Sequence, residues 1–130
     1  MELDHIGYAV KRMDRAIGAM EALGYAFEPV VEDRDRNLSI AFGQNGGCRV
    51  ELVSPLDKTQ PSPADAFLSK VGPTPYHLCY RARDLEAETE ALQAQGFRVV
   101  IPPAPAVAFG GRRVVFLMNL HLGLLEIVEE

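Results

Sequence analysis

The chain has 130 residues, 48% of them hydrophobic, and a formal net charge of −5 at pH 7. That length and apolar content are typical of one domain, which buries roughly two-thirds of its unfolded surface without needing disulfides. Lysine and arginine form no block, so the charge pattern argues against binding to nucleic acid or to anionic membranes. The acidic N-terminus MELDH is unlike a signal peptide, and no apolar run reaches the roughly 20 residues of a membrane span. We therefore expect a cytoplasmic protein.

The first half of the chain predicts the element order βαβββ. Residues 3–10 alternate large apolar side chains with small ones, which is the period of a half-buried strand. Apolar positions recur every three or four residues from Met13 to Leu23, so this segment is expected to form an amphipathic helix that Gly24 ends. Further strands are predicted near residues 26–31, 37–43 and 48–53.

The second half of the chain repeats this order after a proline-rich linker. The predicted elements are a strand at 76–82, a helix from Asp84 to about Gln95, and strands near 97–101, 112–118 and 123–129. Module 1 then covers about 1–54, the linker about 55–75 with a short helix near Ser62, and module 2 about 76–130. The stretch 102–111 is predicted to be an apolar loop, because its prolines cannot donate hydrogen bonds to a central ladder.

Each half carries one histidine and one glutamate at matching places. His5 lies in LDHIGYAV and Glu51 in RVELV, while His77 lies in YHLCYRA and Glu126 in LLEIV. Strand alternation turns these side chains away from their large apolar neighbours. A buried carboxylate is costly unless it is paired, protonated or bound to a metal, and the histidines offer nitrogen ligands. The pattern predicts a divalent-metal site with four ligands, although spacing alone does not choose among Zn²⁺, Ni²⁺, Co²⁺, Fe²⁺ and Mn²⁺.

The motifs HIGYAV, GGCRVELVSP, TPYHLCY and GRRVVFLMNLHLGLLEIVE resemble the vicinal oxygen chelate superfamily. That superfamily includes glyoxalase I, methylmalonyl-CoA epimerase, extradiol dioxygenases, and fosfomycin and bleomycin resistance proteins. The resemblance covers nearly the whole chain and is greatest to short glyoxalase I-like proteins, with methylmalonyl-CoA epimerases next. It implies an α+β fold in which two tandem βαβββ modules form a curved mixed sheet around one metal ion. His5, Glu51, His77 and Glu126 fall on the family's four ligand positions.

A carboxylate in each half favours the isomerase branch of this family over the dioxygenases. The resemblance implies a glyoxalase I-type lyase/isomerase, which converts the hemithioacetal of a 2-oxoaldehyde and a thiol into a 2-hydroxyacyl thioester. Glu126 is expected to be the base, Glu51 its counterpart, and Ni²⁺, Co²⁺ or Zn²⁺ the cofactor. A homodimer is expected, whether the site is built within one chain or across two.

Three other functions stay open at this stage. An acyl-CoA epimerase needs a further acid/base on the third strand of module 1, where Asp35 stands near the required position. The phosphates of its coenzyme A substrate would need cationic partners, for which Arg112, Arg113 and Lys70 are candidates. The chain could also act on an acyl group bound to a carrier. A non-enzymatic protein that binds an antibiotic is the last alternative, against which the retained glutamates argue.

Several other residues have two interpretations. Cys48 and Cys79 lack CxxC spacing and are interpreted as packing residues. His121 is expected at an exposed hairpin tip. Arg49 shares the predicted face of Glu51 and would pair with a substrate carboxylate or form a rim salt bridge. The 102–110 loop is either a lid with Phe109 over the substrate or a structural or dimer-contacting segment.

Overall fold

The computed structural model describes all of Met1–Glu130. By its contacts the chain divides into a central unit, Ile6–Tyr76, and a terminal unit, which joins Met1–His5 with His77–Glu130. Each unit combines helices with strands that pair in both parallel and antiparallel directions. The predicted α+β class with βαβββ modules is confirmed. None of the helices is long and apolar enough to cross a membrane.

The elements from the N-terminus through the central unit are β1 (Glu2–Ala9), α1 (Met13–Ala22), β2 (Ala26–Phe27), β3 (Val31–Asp33), β4 (Leu38–Asn45), β5 (Cys48–Pro55) and α2 (Asp65–Lys70). Strands β4 and β5 form an antiparallel hairpin, and β5 pairs in parallel with β1. The single strand predicted at 26–31 is wrong, because β2 and β3 pair separately with β4. Pro29 lies in the gap between them and has no N–H to donate to a ladder.

The remaining elements are β6 (Thr74–Ala82), α3 (Leu85–Ala94), β7 (Arg98–Pro105), β8 (Arg113–Asn119) and β9 (Gly123–Glu129). In the terminal unit β6 pairs in parallel with β9, and β9 and β7 lie antiparallel on either side of β8. The Asp84 side chain accepts a hydrogen bond from the N–H of Ala87 and so caps α3. The core of this unit consists of Ala82, Leu85, Val115, Leu117 and Ile127.

The loop predicted at 102–111 is partly wrong, because Pro102–Pro105 is the end of β7. This strand lies at the edge of the terminal unit's sheet, where a proline N atom need not meet a partner strand. Its register with β8 also shifts between Val99 and Ile101 and again between Ile101 and Ala104. A short 3₁₀ helix, Val107–Phe109, follows the strand.

Arg113, considered above as a phosphate ligand, joins α3 to β9 within the terminal unit. Its guanidinium donates to both carboxylate oxygens of Glu129, with a shortest contact of 2.6 Å, and to both of Glu86. Hydrogen bonds from Arg113 hold the pKa of each carboxyl below its ordinary value of 4.5. Such ionised carboxylates stabilise the folded state above their unfolded pKa, and this contribution is lost as pH falls through their folded pKa.

We expect Arg113→Met to be destabilised relative to wild type at neutral pH, with the difference shrinking as the pH falls below 4.5. Urea denaturation at a series of pH values measures this. Arg83→Met is the matched control, since Arg83 is 94% exposed and 3.6 Å from Glu130. A difference that stays constant down to acid pH would contradict the assigned role of Arg113.

Candidate metal centre

Three side chains of the terminal unit converge on one point. His5 lies on β1, His77 on β6 and Glu126 on β9, and all three are buried. The two histidine Nε2 atoms lie 3.2 Å apart. The Oε2 atom of Glu126 is 3.0 Å from Nε2 of His77 and 3.4 Å from Nε2 of His5. These three potential ligand atoms therefore form a nearly equilateral triangle.

This triangle has the dimensions of a metal-ligand set. Nitrogen and oxygen ligands about 2.0–2.2 Å from one ion, at angles between square and tetrahedral, are roughly 2.8–3.6 Å apart. The Oε2 atom of Glu126 is buried, yet it accepts no hydrogen bond of good geometry from the protein. A buried oxygen of that kind normally has a partner. The residues present therefore fit a divalent cation coordinated by two imidazoles and one carboxylate.

The charge on Glu126 also suits a cation. Burial by itself raises the pKa of this carboxyl, but its close polar interactions with His5 and His77 outweigh burial and hold the pKa at about 2. Glu126 is therefore an anion at neutral pH, enclosed by apolar strands and by two imidazoles. An ionised buried carboxylate of this kind is ready to coordinate a cation.

Strand register and two aromatic rings position these ligands. Glu126 lies opposite Cys79 on β6 and opposite Phe116 on β8, in the middle of the sheet. The Phe109 ring stacks on His5 with centroids 5.8 Å apart and an interplanar angle of 22°. The Phe116 ring meets His77 edge-on, also at 5.8 Å. Each of the two imidazoles is thus packed against one aromatic ring.

Two charged residues that the sequence analysis did not single out lie beside this centre: Asp4 contacts His5, and Arg81 contacts Asp4. The Oδ2 atom of Asp4 lies 2.8 Å from Nδ1 of His5, and Arg81 donates from Nη1 to Oδ1 of Asp4 at 3.1 Å. The adjacency of Asp4 and His5 in LDH was the only signal available. Alternation along a strand would turn the two side chains to opposite faces.

Glu51, the fourth predicted ligand, belongs to the central unit. It is buried on β5, with its Cα opposite that of Phe42 on β4. The guanidinium of Arg49 lies 4.0 Å from the centroid of the Phe42 ring, a cation–π arrangement. This stacking was not among the roles predicted for Arg49. The role of Glu51 as a metal ligand stays a prediction.

The structure corrects the position of Asp35, which was predicted on the third strand of module 1. Asp35 is exposed in the turn that joins β3 to β4. The buried carboxylate nearby is Asp33, which accepts hydrogen bonds from the backbone N–H and the guanidinium of Arg36 and so closes the turn. The exposed position of His121 at the β8–β9 hairpin tip is confirmed. Lys70 is exposed at the end of α2.

The second arginine considered for phosphates, Arg112, contacts the segment around Phe109. Its Nε donates to the carbonyl of Phe109, and Nη1 donates to the carbonyl of Glu129. The guanidinium carbon lies 5.7 Å from the centroid of the Phe109 ring. These contacts give Arg112 a structural role in fastening the 3₁₀ helix to β9.

The two cysteines differ in accessibility, and neither is in a disulfide. Cys79 is fully buried, and its burial raises the pKa of the thiol. Cys48 is half-buried, and its Sγ accepts a hydrogen bond from the Tyr25 hydroxyl at 3.3 Å. Since the thiolate is the reactive form, Cys79 is expected to be inert in the native protein.

We expect iodoacetamide to alkylate Cys48 well before Cys79 in the native protein, and both at similar rates in urea. Mass spectrometry of peptides sampled over time measures the two rates. Cys48→Ala, which removes the faster thiol, is the control for assigning the phases. Equal native rates would contradict the burial of Cys79.

A family model described as the glyoxalase/bleomycin resistance protein/dioxygenase superfamily matches residues 4–116. The uncharacterized protein YqjC of Bacillus subtilis is 32% identical over 116 residues, covering 88% of this chain and 81% of that protein. The ethylmalonyl-CoA/methylmalonyl-CoA epimerase of Cereibacter sphaeroides is 28% identical over 118 residues, covering 88% and 86%.

Among solved structures, methylmalonyl-CoA epimerase from Mycobacterium tuberculosis is 30% identical, with a TM-score of 0.83. The match covers 98% of this chain and 87% of that one. The superfamily predicted from the motifs is therefore confirmed. The order of likeness within it differs from the prediction, because two of these three relatives carry the names of epimerases and none carries that of glyoxalase I.

Proposed function

Because the chain belongs to the glyoxalase/bleomycin resistance protein/dioxygenase superfamily, we propose that it is a metal-dependent epimerase of a 2-substituted acyl-CoA thioester. The observation that carries this proposal is the buried triangle of His5, His77 and Glu126, with Glu126 ionised. The epimerases among its relatives indicate the substrate class. The glyoxalase I-type reaction predicted from the motifs uses the same kind of proton transfer, so it is tested beside the epimerase reaction.

Epimerisation of such a thioester requires removal of the proton from the carbon next to the carbonyl. The C–H electron pair moves into an enolate, and a proton then returns to the other face of the same carbon. We assign the proton removal to Glu126, whose carboxylate is ionised and enclosed by apolar strands. A divalent ion held by His5, His77 and Glu126 would act as a Lewis acid on the thioester oxygen where negative charge develops.

Return of the proton to the opposite face calls for a second acid. We propose Glu51 for this role and as the fourth ligand, because it occupies in module 1 the repeat position that Glu126 occupies in module 2. Two imidazoles with two carboxylates suit Zn²⁺, Co²⁺ or Ni²⁺. Asp35 lies outside β3, in the exposed turn that follows it, so Glu51 is the candidate that the sequence repeat favours.

The test combines metal analysis with two activity assays. Protein reconstituted separately with Zn²⁺, Co²⁺ and Ni²⁺ is assayed with methylmalonyl-CoA in D₂O, following loss of the α-proton signal by NMR. The same samples receive methylglyoxal with glutathione, and thioester formation is followed by absorbance. Metal binding with α-proton exchange supports the proposal. Thioester formation without exchange would replace it with the glyoxalase reaction, and no bound metal would leave a binding protein.

A further inference from the structure

A line of charged side chains extends from the surface of the terminal unit to the metal centre. Glu2, which is 83% exposed, accepts a hydrogen bond at 2.9 Å from Nη2 of Arg81. The Nη1 atom of Arg81 donates to Oδ1 of Asp4, and Oδ2 of Asp4 faces Nδ1 of His5 at 2.8 Å. The Asp4 side chain is only 7% exposed. A nearly buried carboxylate thus uses one oxygen for Arg81 and the other for His5.

This arrangement determines which ring nitrogen of His5 carries a proton. An ionised carboxylate can only accept hydrogen bonds, so the 2.8 Å contact requires an N–H at Nδ1 of His5. A neutral imidazole has one N–H and one lone pair. The lone pair of His5 is then on Nε2, which is the atom that faces His77 and Glu126.

We propose that Asp4 is a positioning residue that holds His5 as the Nδ1–H tautomer and thereby aims the Nε2 lone pair at the metal. Arg81 orients Asp4, since it occupies the oxygen that does not face His5. This inference rests on the metal site proposed above. A carboxylate that accepts from a metal-bound histidine typically changes metal affinity by 10–100-fold when it is removed.

Nucleophilic catalysis by Cys79 is another function for this group of side chains, but the thiol is not accessible. Asp4, His5 and Cys79 place ligand atoms within 4.8 Å of one another, an arrangement with the residue types of a thiol nucleophile, base and orienting acid. Cys79, however, is fully buried, and that burial raises the pKa of its thiol. The thiol therefore stays protonated and out of reach of a substrate, which leaves orientation of His5 as the role of Asp4.

The isosteric variant Asp4→Asn is expected to reverse the tautomer of His5. Arg81 has only donors, so it will bind the carbonyl oxygen of the new amide and turn the NH₂ group toward His5. Nδ1 of His5 must then accept a hydrogen bond, which places the ring proton on Nε2 and blocks coordination. Asp4→Asn is therefore expected to weaken metal binding at least as much as Asp4→Ala, each by about 10–100-fold.

The double variant Asp4→Asn with Arg81→Met separates this mechanism from a loss of charge. Without Arg81 the amide can rotate and offer its oxygen to Nδ1 of His5, so part of the lost affinity is expected to return. Glu2→Gln is the control at the exposed end of the line and should leave affinity unchanged.

Two readouts test the proposal. Nitrogen NMR of the metal-free proteins at alkaline pH is expected to show a proton on Nδ1 of His5 in wild type and none there in Asp4→Asn. Competition with a chromophoric chelator for Co²⁺ gives the affinities, and thermal melting confirms that each variant is folded. An unprotonated Nδ1 in wild type overturns the proposal, as does an Asp4→Asn protein that binds Co²⁺ as tightly as wild type.

Failure of the proposed function would look different. A wild-type protein that binds no metal would remove the site, while its metal-free NMR spectrum would still decide whether Asp4 sets the tautomer. If Asp4→Asn and Asp4→Ala do not fold, the NMR spectra of wild type and of Arg81→Met test the proposal. In that case an Nδ1 proton that exchanges between the two nitrogens in Arg81→Met supports the orienting role of Arg81, and an unchanged spectrum overturns it.

Discussion

Replacing Glu126 by glutamine is expected to lower the rate of α-proton exchange by roughly 10²–10⁴-fold, the usual contribution of a general base. The amide keeps the size and the buried position of the side chain and can still offer an oxygen ligand. It lacks the ionised carboxylate that His5 and His77 maintain in wild type, where the pKa of Glu126 is about 2. Exchange of methylmalonyl-CoA in D₂O, expressed per bound metal ion, measures the loss.

Expressing the rate per metal ion separates loss of the base from loss of the metal. Glu90→Gln makes the same chemical change at an exposed position of α3 and should behave as wild type. Glu51→Gln tests the second proposed acid under the same conditions. A Glu126→Gln protein that exchanges the proton at the wild-type rate would show that another group is the base.

Strand alternation and the internal repeat were sufficient to predict most of the fold. The alternating pattern of residues 3–10 matches β1, where His5, Gly7 and Ala9 are buried and their neighbours are less so. The repeat predicted where the second set of elements lies. These features are local or periodic, so they are visible in a single sequence.

The errors came from features that depend on tertiary context. Prolines exclude a central strand but not an edge strand, and no local pattern distinguishes the two, so the end of β7 was interpreted as a loop. Counting back from Glu51 could not place Asp35, because the turn after β3 sets the register. That turn is closed by Asp33 and ends at Asn37, which has a positive φ of 56°.

The site likewise contains residues that the sequence could predict and one that depends on tertiary context. His5, His77 and Glu126 were predictable because the repeat marks them, and the structure brings them together. Asp4 was not, since alternation assigns it to the opposite face, and only the direction of the His5 ring shows that its Nδ1 turns toward that residue. Ligand residues shared by glyoxalase-type and epimerase-type proteins could not rank the two reactions, and the relatives were needed to favour one.

Truncating Phe109 to alanine is expected to lower the free energy of unfolding by about 3–5 kcal/mol, the usual cost of removing a buried phenylalanine ring. The ring is 6% exposed, stacks on His5 and has Arg112 on its face. If this segment were a mobile lid, the loss would be much smaller, because the Phe109 side chain would then bury little apolar surface in the folded protein. Urea denaturation of the metal-free protein measures the difference.

Val107→Ala is the matched control, because Val107 belongs to the same 3₁₀ helix but is 53% exposed. Its effect should stay within about 0.5 kcal/mol, as for most surface substitutions. Since the Phe109 ring also restricts the orientation of His5, Phe109→Ala should weaken Co²⁺ binding, and Phe109→Leu should retain part of both properties. Equal, small effects of Phe109→Ala and Val107→Ala would mean that the segment moves freely, and that His5 is held by Asp4 without the aromatic stack.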